Sequence, residues 1–112
     1  MDVDLWVDPT VANSKRVIAA LKAWGAPLRT HGVVAEDFAK EGTVYQIGAP
    51  PRRIDILTSI DGVSFEEGRV GHLYVSVGGL EIPLIGREAL VKNKRASGRP
   101  KDLADLLGLG ET

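Results

Sequence analysis

The chain has 112 residues, which is enough for one domain and too few for two of ordinary size. Its formal net charge of −1 excludes a global basic field that would draw it to nucleic acid or to anionic membranes. It contains no cysteine, which excludes a disulfide framework and a thiolate metal site. We therefore expect a single cytoplasmic domain over residues 1–112. We expect no membrane partner, because no apolar run approaches the roughly 20 residues that cross a bilayer.

The first half of the chain predicts a strand, a helix and a second strand. Apolar and polar residues alternate over residues 2–7, which indicates a half-buried strand. An amphipathic helix is expected over residues 11–24, between an N-cap at Thr10 and a C-terminal stop at Gly25, with Trp24 packed at the end of the helix. A short helical turn follows near residues 33–40. The further elements of this half are strands over residues 43–47 and 52–60.

The second half predicts a capped turn, a hairpin and two helices. Ser64 is placed to cap a short helix, and Gly78-Gly79 favours a tight turn between two strands. The expected elements are strands over residues 72–77 and 80–84 and helices over residues 87–96 and 100–107. Their order indicates an α+β fold, in which a mixed β-sheet carries helices packed mainly on one face.

Three aspartates stand in strand patterns, where aspartate is depleted. Asp2 and Asp4 are two residues apart and therefore share one face of their strand, and a neighbouring strand would bring Asp55 beside them. Carboxylates so close repel one another unless a cation lies between them, and Mg²⁺ favours such hard oxygen ligands. In the alternative interpretation the aspartates face solvent on a half-exposed sheet, with Arg52 and Arg53 as counterions.

These residues carry a resemblance to a known superfamily. The stretch from Asp2 to Val7 resembles the D-x-D strand of the polymerase-β-like nucleotidyltransferases, and residues 53–57 resemble their third-carboxylate strand. Residues 51–58 and 93–105 are similar to the small prokaryotic nucleotidyltransferases of toxin–antitoxin and abortive-infection systems. The likeness extends from residue 2 to about residue 107.

The resemblance implies a chemistry. Asp2, Asp4 and Asp55 would ligate Mg²⁺ or Mn²⁺, and Asp55 would also help to activate an acceptor hydroxyl. The reaction would transfer a nucleoside monophosphate from a nucleoside triphosphate to an acceptor and release pyrophosphate. A nucleic acid is one candidate acceptor, and a cognate toxin or antitoxin protein is an expected partner.

A basic run near the C-terminus adds further candidates, and its five cations are Lys92, Lys94, Arg95, Arg99 and Lys101. By the same resemblance, Lys94 and Asp102 would support nucleotide binding, and Lys94 would also take part in catalysis. Arg99 could grip a phosphate in bidentate fashion. The alternative interpretation is a solvated helix face, with Asp102 favouring the helix dipole. Nucleic-acid binding through this run alone is disfavoured, because no aromatic residues are interleaved with it.

One departure from the superfamily concerns the phosphate-binding element. The superfamily has a Gly-Gly or Gly-Ser turn upstream of the D-x-D pair, whereas this sequence begins one residue before Asp2. We therefore expect an N-terminally truncated nucleotidyltransferase-like fold. Such a chain is either shortened relative to active relatives or is a catalytically silent interaction or antitoxin module. An uncovered sheet edge or apolar surface would then favour a homodimer.

Overall fold

The computed structural model of the protein describes residues 3–111, so Met1, Asp2 and Thr112 lie outside the described residues. The chain divides into two compact units, of which unit 1 runs to Ser59 and unit 2 begins at Ile60. Each unit has helices and a small sheet of its own, and the α+β class predicted from the sequence is confirmed.

Unit 1 is built on a mixed sheet of three strands in the order β1-β3-β2. Its strands and helices, in chain order, are β1 (Val3–Trp6), α1 (Val11–Trp24), α2 (Leu28–His31), a 3-10 helix (Ala35–Ala39), β2 (Val44–Ala49) and β3 (Arg52–Leu57). The central strand β3 pairs parallel to β1 and antiparallel to β2. Strand β1 is therefore an edge of the sheet.

The hydrophobic core of unit 1 lies on one face of this sheet. Tyr45 pairs with Ile56 and Ile47 with Ile54, so these side chains project from the same side of the sheet. Helical residues pack against them, including Phe38, whose side chain is fully buried. The core thus lies on one sheet face, and the opposite face carries Asp4, Arg53 and Asp55 together with the apolar residues Trp6 and Leu57.

Local signals set the bounds of α1. The Thr10 side chain accepts a hydrogen bond from the backbone N–H of Asn13 at 3.1 Å, which satisfies one of the helix's unpaired donors. Gly25 ends the helix with a left-handed φ of 97°, a conformation that glycine adopts without steric cost. Both caps and both helix ends agree with the sequence prediction.

Unit 2 combines short helices with a two-stranded hairpin. Its elements are α3 (Phe65–Arg69), β4 (Leu73–Val77), β5 (Leu80–Leu84), α4 (Arg87–Ser97) and α5 (Pro100–Gly108). Ser64 caps α3 through a reciprocal pair of hydrogen bonds with Glu67. Gly78 and Gly79 both have positive φ at the hairpin turn, as that turn type requires.

The structure departs from the sequence prediction in four places. The expected single mixed sheet is two separate sheets, since β4 and β5 pair only with each other among the described residues. The strand expected to reach residue 60 ends at Leu57. Helix α2 was not expected, because four residues are too few to show a helical period. Trp24, expected to pack at the end of α1, is 62% exposed.

None of the helices in residues 3–111 combines the length and the apolar character needed to cross a lipid bilayer.

Candidate functional site

Two of the predicted metal ligands meet in unit 1, on neighbouring parallel strands. Asp4 on β1 and Asp55 on β3 are register partners. Because Ile54 and Ile56 project toward the core, the alternation of a strand directs Asp55 to the opposite face, and Asp4 shares that face. Neighbouring strands lie roughly 4.8 Å apart, so Asp4 and Asp55 are adjacent residues on this face of the sheet.

The two carboxylates have different surroundings. Asp4 is exposed, whereas Asp55 is only 7% exposed. Arg53 lies two residues before Asp55 on the same face, and its guanidinium engages both carboxylate oxygens. Its Nε donates to Oδ1 at 2.8 Å and its Nη2 to Oδ2 at 3.2 Å. The buried negative charge is thus compensated from within the strand by a bidentate ion pair.

The third predicted ligand, Asp2, lies outside the described residues. Among residues 3–111, no three aspartate, glutamate or histidine side chains come together in an arrangement that would hold a metal ion. The described part of the predicted metal site therefore consists of Asp4 and Asp55, and Arg53 is bound to the carboxylate of Asp55.

The other predicted site residues meet in unit 2, where α4 turns into α5. Asp102 is 3% exposed and accepts hydrogen bonds from Arg99 Nε at 2.8 Å and from the Ser97 hydroxyl at 2.6 Å. The ammonium of Lys94 lies 3.8 Å from Asp102 and donates to Asp105 at 2.8 Å. Lys94, Arg99 and Asp102 thus belong to one network of ion pairs within unit 2.

This network has an evident structural role. Arg99 is the N-cap residue of α5 and Asp102 lies in the first turn, where a carboxylate is favoured by the helix dipole. Hydrogen bonds from the Arg99 guanidinium and from the Ser97 hydroxyl lower the pKa of Asp102 from 3.8 to about 2. Asp102 therefore remains ionised at neutral pH and holds the last residue of α4 to the first turn of α5.

Other cations of the basic run are also paired with acidic side chains. Lys92 contacts Glu67, and Arg95 donates to Glu111 at 3.2 Å. With Lys94 and Arg99, four of the five cations of this run form ion pairs with acidic groups of unit 2. The run is a set of local ion pairs, which reduces the positive field that it presents.

Some contacts were missing from the sequence interpretation. The hydrogen bond between Ser97 and Asp102 was not predicted from the sequence. A hydroxyl at the end of one helix and a carboxylate in the first turn of the next could have indicated this hydrogen bond. A second such contact involves His31. Its Nδ1 is 2.8 Å from the hydroxyl of Tyr45, and burial raises the pKa of that tyrosine. This pair joins α2 to β2 in unit 1.

Comparisons with known proteins gave no match: no family model, no curated protein and no solved structure is similar to the chain. The function is therefore inferred from the arrangement of the residues themselves.

Proposed function

We propose that the chain is a nucleotidyltransferase-like protein of toxin–antitoxin type, whose metal ligands are Asp2, Asp4 and Asp55. The observation that supports this proposal is the in-register pairing of Asp4 with Asp55 on parallel strands, on the sheet face opposite the core. A strand interior is an unfavourable place for an aspartate, and two such residues side by side repel each other unless a cation is near.

The donor set fits a small divalent cation. Carboxylate oxygens are the ligands that Mg²⁺ prefers, and the ion normally keeps several water or phosphate ligands beside one or two carboxylates. Asp4 and Asp55 would supply such a pair, with Asp2 as the third ligand. Bound Mg²⁺ or Mn²⁺ would neutralise the triphosphate charge and polarise the phosphoryl group. Asp55 would in addition orient and activate the acceptor hydroxyl.

Arg53 occupies one of the proposed metal ligands. Its guanidinium already occupies both oxygens of Asp55, so a metal ion must compete with an internal cation for the same carboxylate. Arg53 would have to turn away from Asp55 on metal binding, and the arginine side chain is long and 29% exposed. In the nucleotide-bound protein the guanidinium would be available to a phosphate.

Lys94, Arg99 and Asp102 would bind the nucleotide, with Lys94 also acting in catalysis. A phosphate oxygen would replace Asp105 as the partner of the Lys94 ammonium, and Arg99 is 73% exposed and within reach of a ligand. These roles rest on the proposed family, and the same contacts also join α4 to α5.

Calorimetric titration tests the proposal directly. A complex of Mg²⁺ or Mn²⁺ with ATP, GTP, CTP or UTP should bind the wild-type chain, and Asp4→Asn should weaken binding by more than about a hundredfold through loss of a charged ligand. Glu41→Gln is a matched control, because it removes one negative charge from an exposed turn of the same unit. Equal binding by the Asp4 and Glu41 variants would contradict the assignment.

A second function, a catalytically silent interaction or antitoxin module, is supported by the Arg53–Asp55 pair. An inherited aspartate that has lost its metal would be stable when an internal arginine neutralises it, as here. This candidate predicts no heat with any nucleotide and a stable complex with a cognate toxin or antitoxin protein.

Nucleic-acid binding remains a third candidate, and the paired cations of the basic run give it little support. It predicts an affinity for RNA that falls steeply with salt, because each phosphate contact releases counterions. An affinity that does not change between about 50 and 200 mM salt would exclude it.

A further inference from the structure

The β4–β5 hairpin has two faces of opposite character. In register, Leu73 pairs with Leu84, Val75 with Ile82 and Val77 with Leu80. Paired residues of an antiparallel hairpin project from the same side, and so do residues two apart along a strand. We call this side the aliphatic face; it consists of Leu73, Val75, Val77, Leu80, Ile82 and Leu84. The opposite side carries Tyr74, Ser76, Glu81 and Pro83.

The aliphatic face is exposed to an unusual degree. Its six side chains are between 37% and 68% exposed, although strands normally bury such a face. Within the described part of unit 2, β4 and β5 make extensive contact only with each other. A two-stranded hairpin on its own is marginally stable in water and needs further strands or a packed surface. This face therefore requires a covering partner.

The exposed area is sufficient for a specific dimer. The six exposures together equal roughly three fully exposed aliphatic residues, on the order of 500 Å² per chain, so two copies would bury about 1,000 Å². That area reaches the lower bound for a biological interface, and the largest apolar patch on a soluble protein is often a functional site.

The composition of the aliphatic face indicates which kind of partner it can bind. It contains no charged or hydrogen-bonding side chain, so its partner must be equally apolar, and the same face of a second copy meets that requirement. The charged residue of the hairpin, Glu81, lies on the other side, so face-to-face packing brings no like charges together. Two hairpins would also form a four-stranded assembly, which exceeds the minimum for independent stability.

We propose that the chain forms a two-fold dimer in which the aliphatic faces of two β4–β5 hairpins pack against each other. A homodimer is also expected from the sequence, but that expectation does not place the interface on the hairpin. Variants in the hairpin test this interface specifically.

A pair of lysine substitutions tests the proposal in the full chain. Sedimentation velocity at about 50 µM, a concentration well above the Kd of a typical specific dimer, should give the wild type twice the 12.0 kDa mass of the chain. Val77→Lys should weaken dimerisation by more than about a hundredfold, since the dimer would bury the added ammonium twice. Ser76→Lys is the matched control: it adds the same charge one residue away on the opposite face, across from Glu81.

The control variant should remain dimeric. A monomeric wild type would overturn the proposal, and so would a Val77→Lys protein as dimeric as the wild type. Loss of the dimer in both variants would exclude a role specific to the aliphatic face.

Cross-linking provides a readout that does not depend on a disruptive substitution. The chain has no cysteine, so single cysteine variants give unambiguous products. A bis-maleimide of about 10 Å reach, matched to the spacing of packed sheets, should link two copies of Val75→Cys much faster than two copies of Ser76→Cys. Equal rates for the two variants would refute face-to-face packing.

Discussion

The ion pair between Arg53 and Asp55 allows a quantitative prediction. Replacing Arg53 with Met removes two charge-assisted hydrogen bonds, each worth about 1.5–3 kcal/mol when buried. The Arg53 side chain is 29% exposed and that of Asp55 11%, so solvent screening reduces this contribution toward that of an exposed pair. We expect Arg53→Met to lower the free energy of unfolding by about 2 kcal/mol in the absence of metal.

A double-mutant cycle measures the interaction free energy between Arg53 and Asp55. Asp55→Asn should cost less than Arg53→Met, because an arginine left without its carboxylate can extend into water whereas a buried carboxylate cannot. The coupling between the two substitutions should be about 1–2 kcal/mol. Both tryptophans, Trp6 and Trp24, belong to unit 1, so urea unfolding in EDTA followed by their fluorescence reports on the unit that contains the pair.

The same variants test whether Arg53 competes with a metal ion for the carboxylate of Asp55. If a divalent cation competes with Arg53, then Mn²⁺ at tenfold excess over the Kd of the Arg53→Met protein should stabilise that variant by about 1.4 kcal/mol, and the same Mn²⁺ concentration should stabilise the wild type by less. It should have no effect on Asp55→Asn. A coupling below about 0.5 kcal/mol would refute charge compensation, since that is the limit for independent sites. An equal effect of Mn²⁺ on all three proteins would place any bound metal elsewhere.

Two further predictions concern unit 2. Because the folded-state pKa of Asp102 is about 2 and its ordinary value is 3.8, its ionisation stabilises the fold above about pH 4, and this contribution is lost as the pH falls through 2. Asp102→Asn should therefore flatten the pH dependence of thermal stability between about pH 4 and pH 2, and a pH profile equal to that of the wild type would contradict this assignment. Gly62→Ala should lower the stability of unit 2 by about 2 kcal/mol, because φ is +74° and the new Cβ would overlap the Ala96 methyl. Gly98→Ala, at a similarly left-handed but roomier position, should cost less in the same thermal melts, and an equal loss would contradict the steric argument.

The features predicted most closely from the sequence depend on neighbours along the chain. The ends of α1 follow from Thr10 and Gly25, and the hairpin follows from Gly78-Gly79, because each signal acts within a few residues. The shared face of Asp4 and Asp55 follows from strand alternation once β1 and β3 are neighbours.

The features that were missed depend on long-range packing. Nothing in the local pattern says whether the hairpin joins the first sheet, and the structure keeps it separate. Trp24 fits the apolar period of α1 but lies at its last residue, where the helix presents it to solvent. Ser97 and Asp102 come together because α4 and α5 meet at a corner, which a helix-by-helix interpretation does not describe.

The edge position of β1 has a consequence for the order of assembly. Strands β2 and β3 are joined by two residues, Pro50 and Pro51, so their contact closes a very short loop. Strand β1 reaches β3 only across residues 7–51, and long loops slow the formation of contacts more than short ones do. We therefore expect the acidic pair of Asp4 and Asp55 to form late in folding. The β2–β3 hairpin places Asp55 beside Arg53, and Asp4 joins them only when β1 pairs with β3.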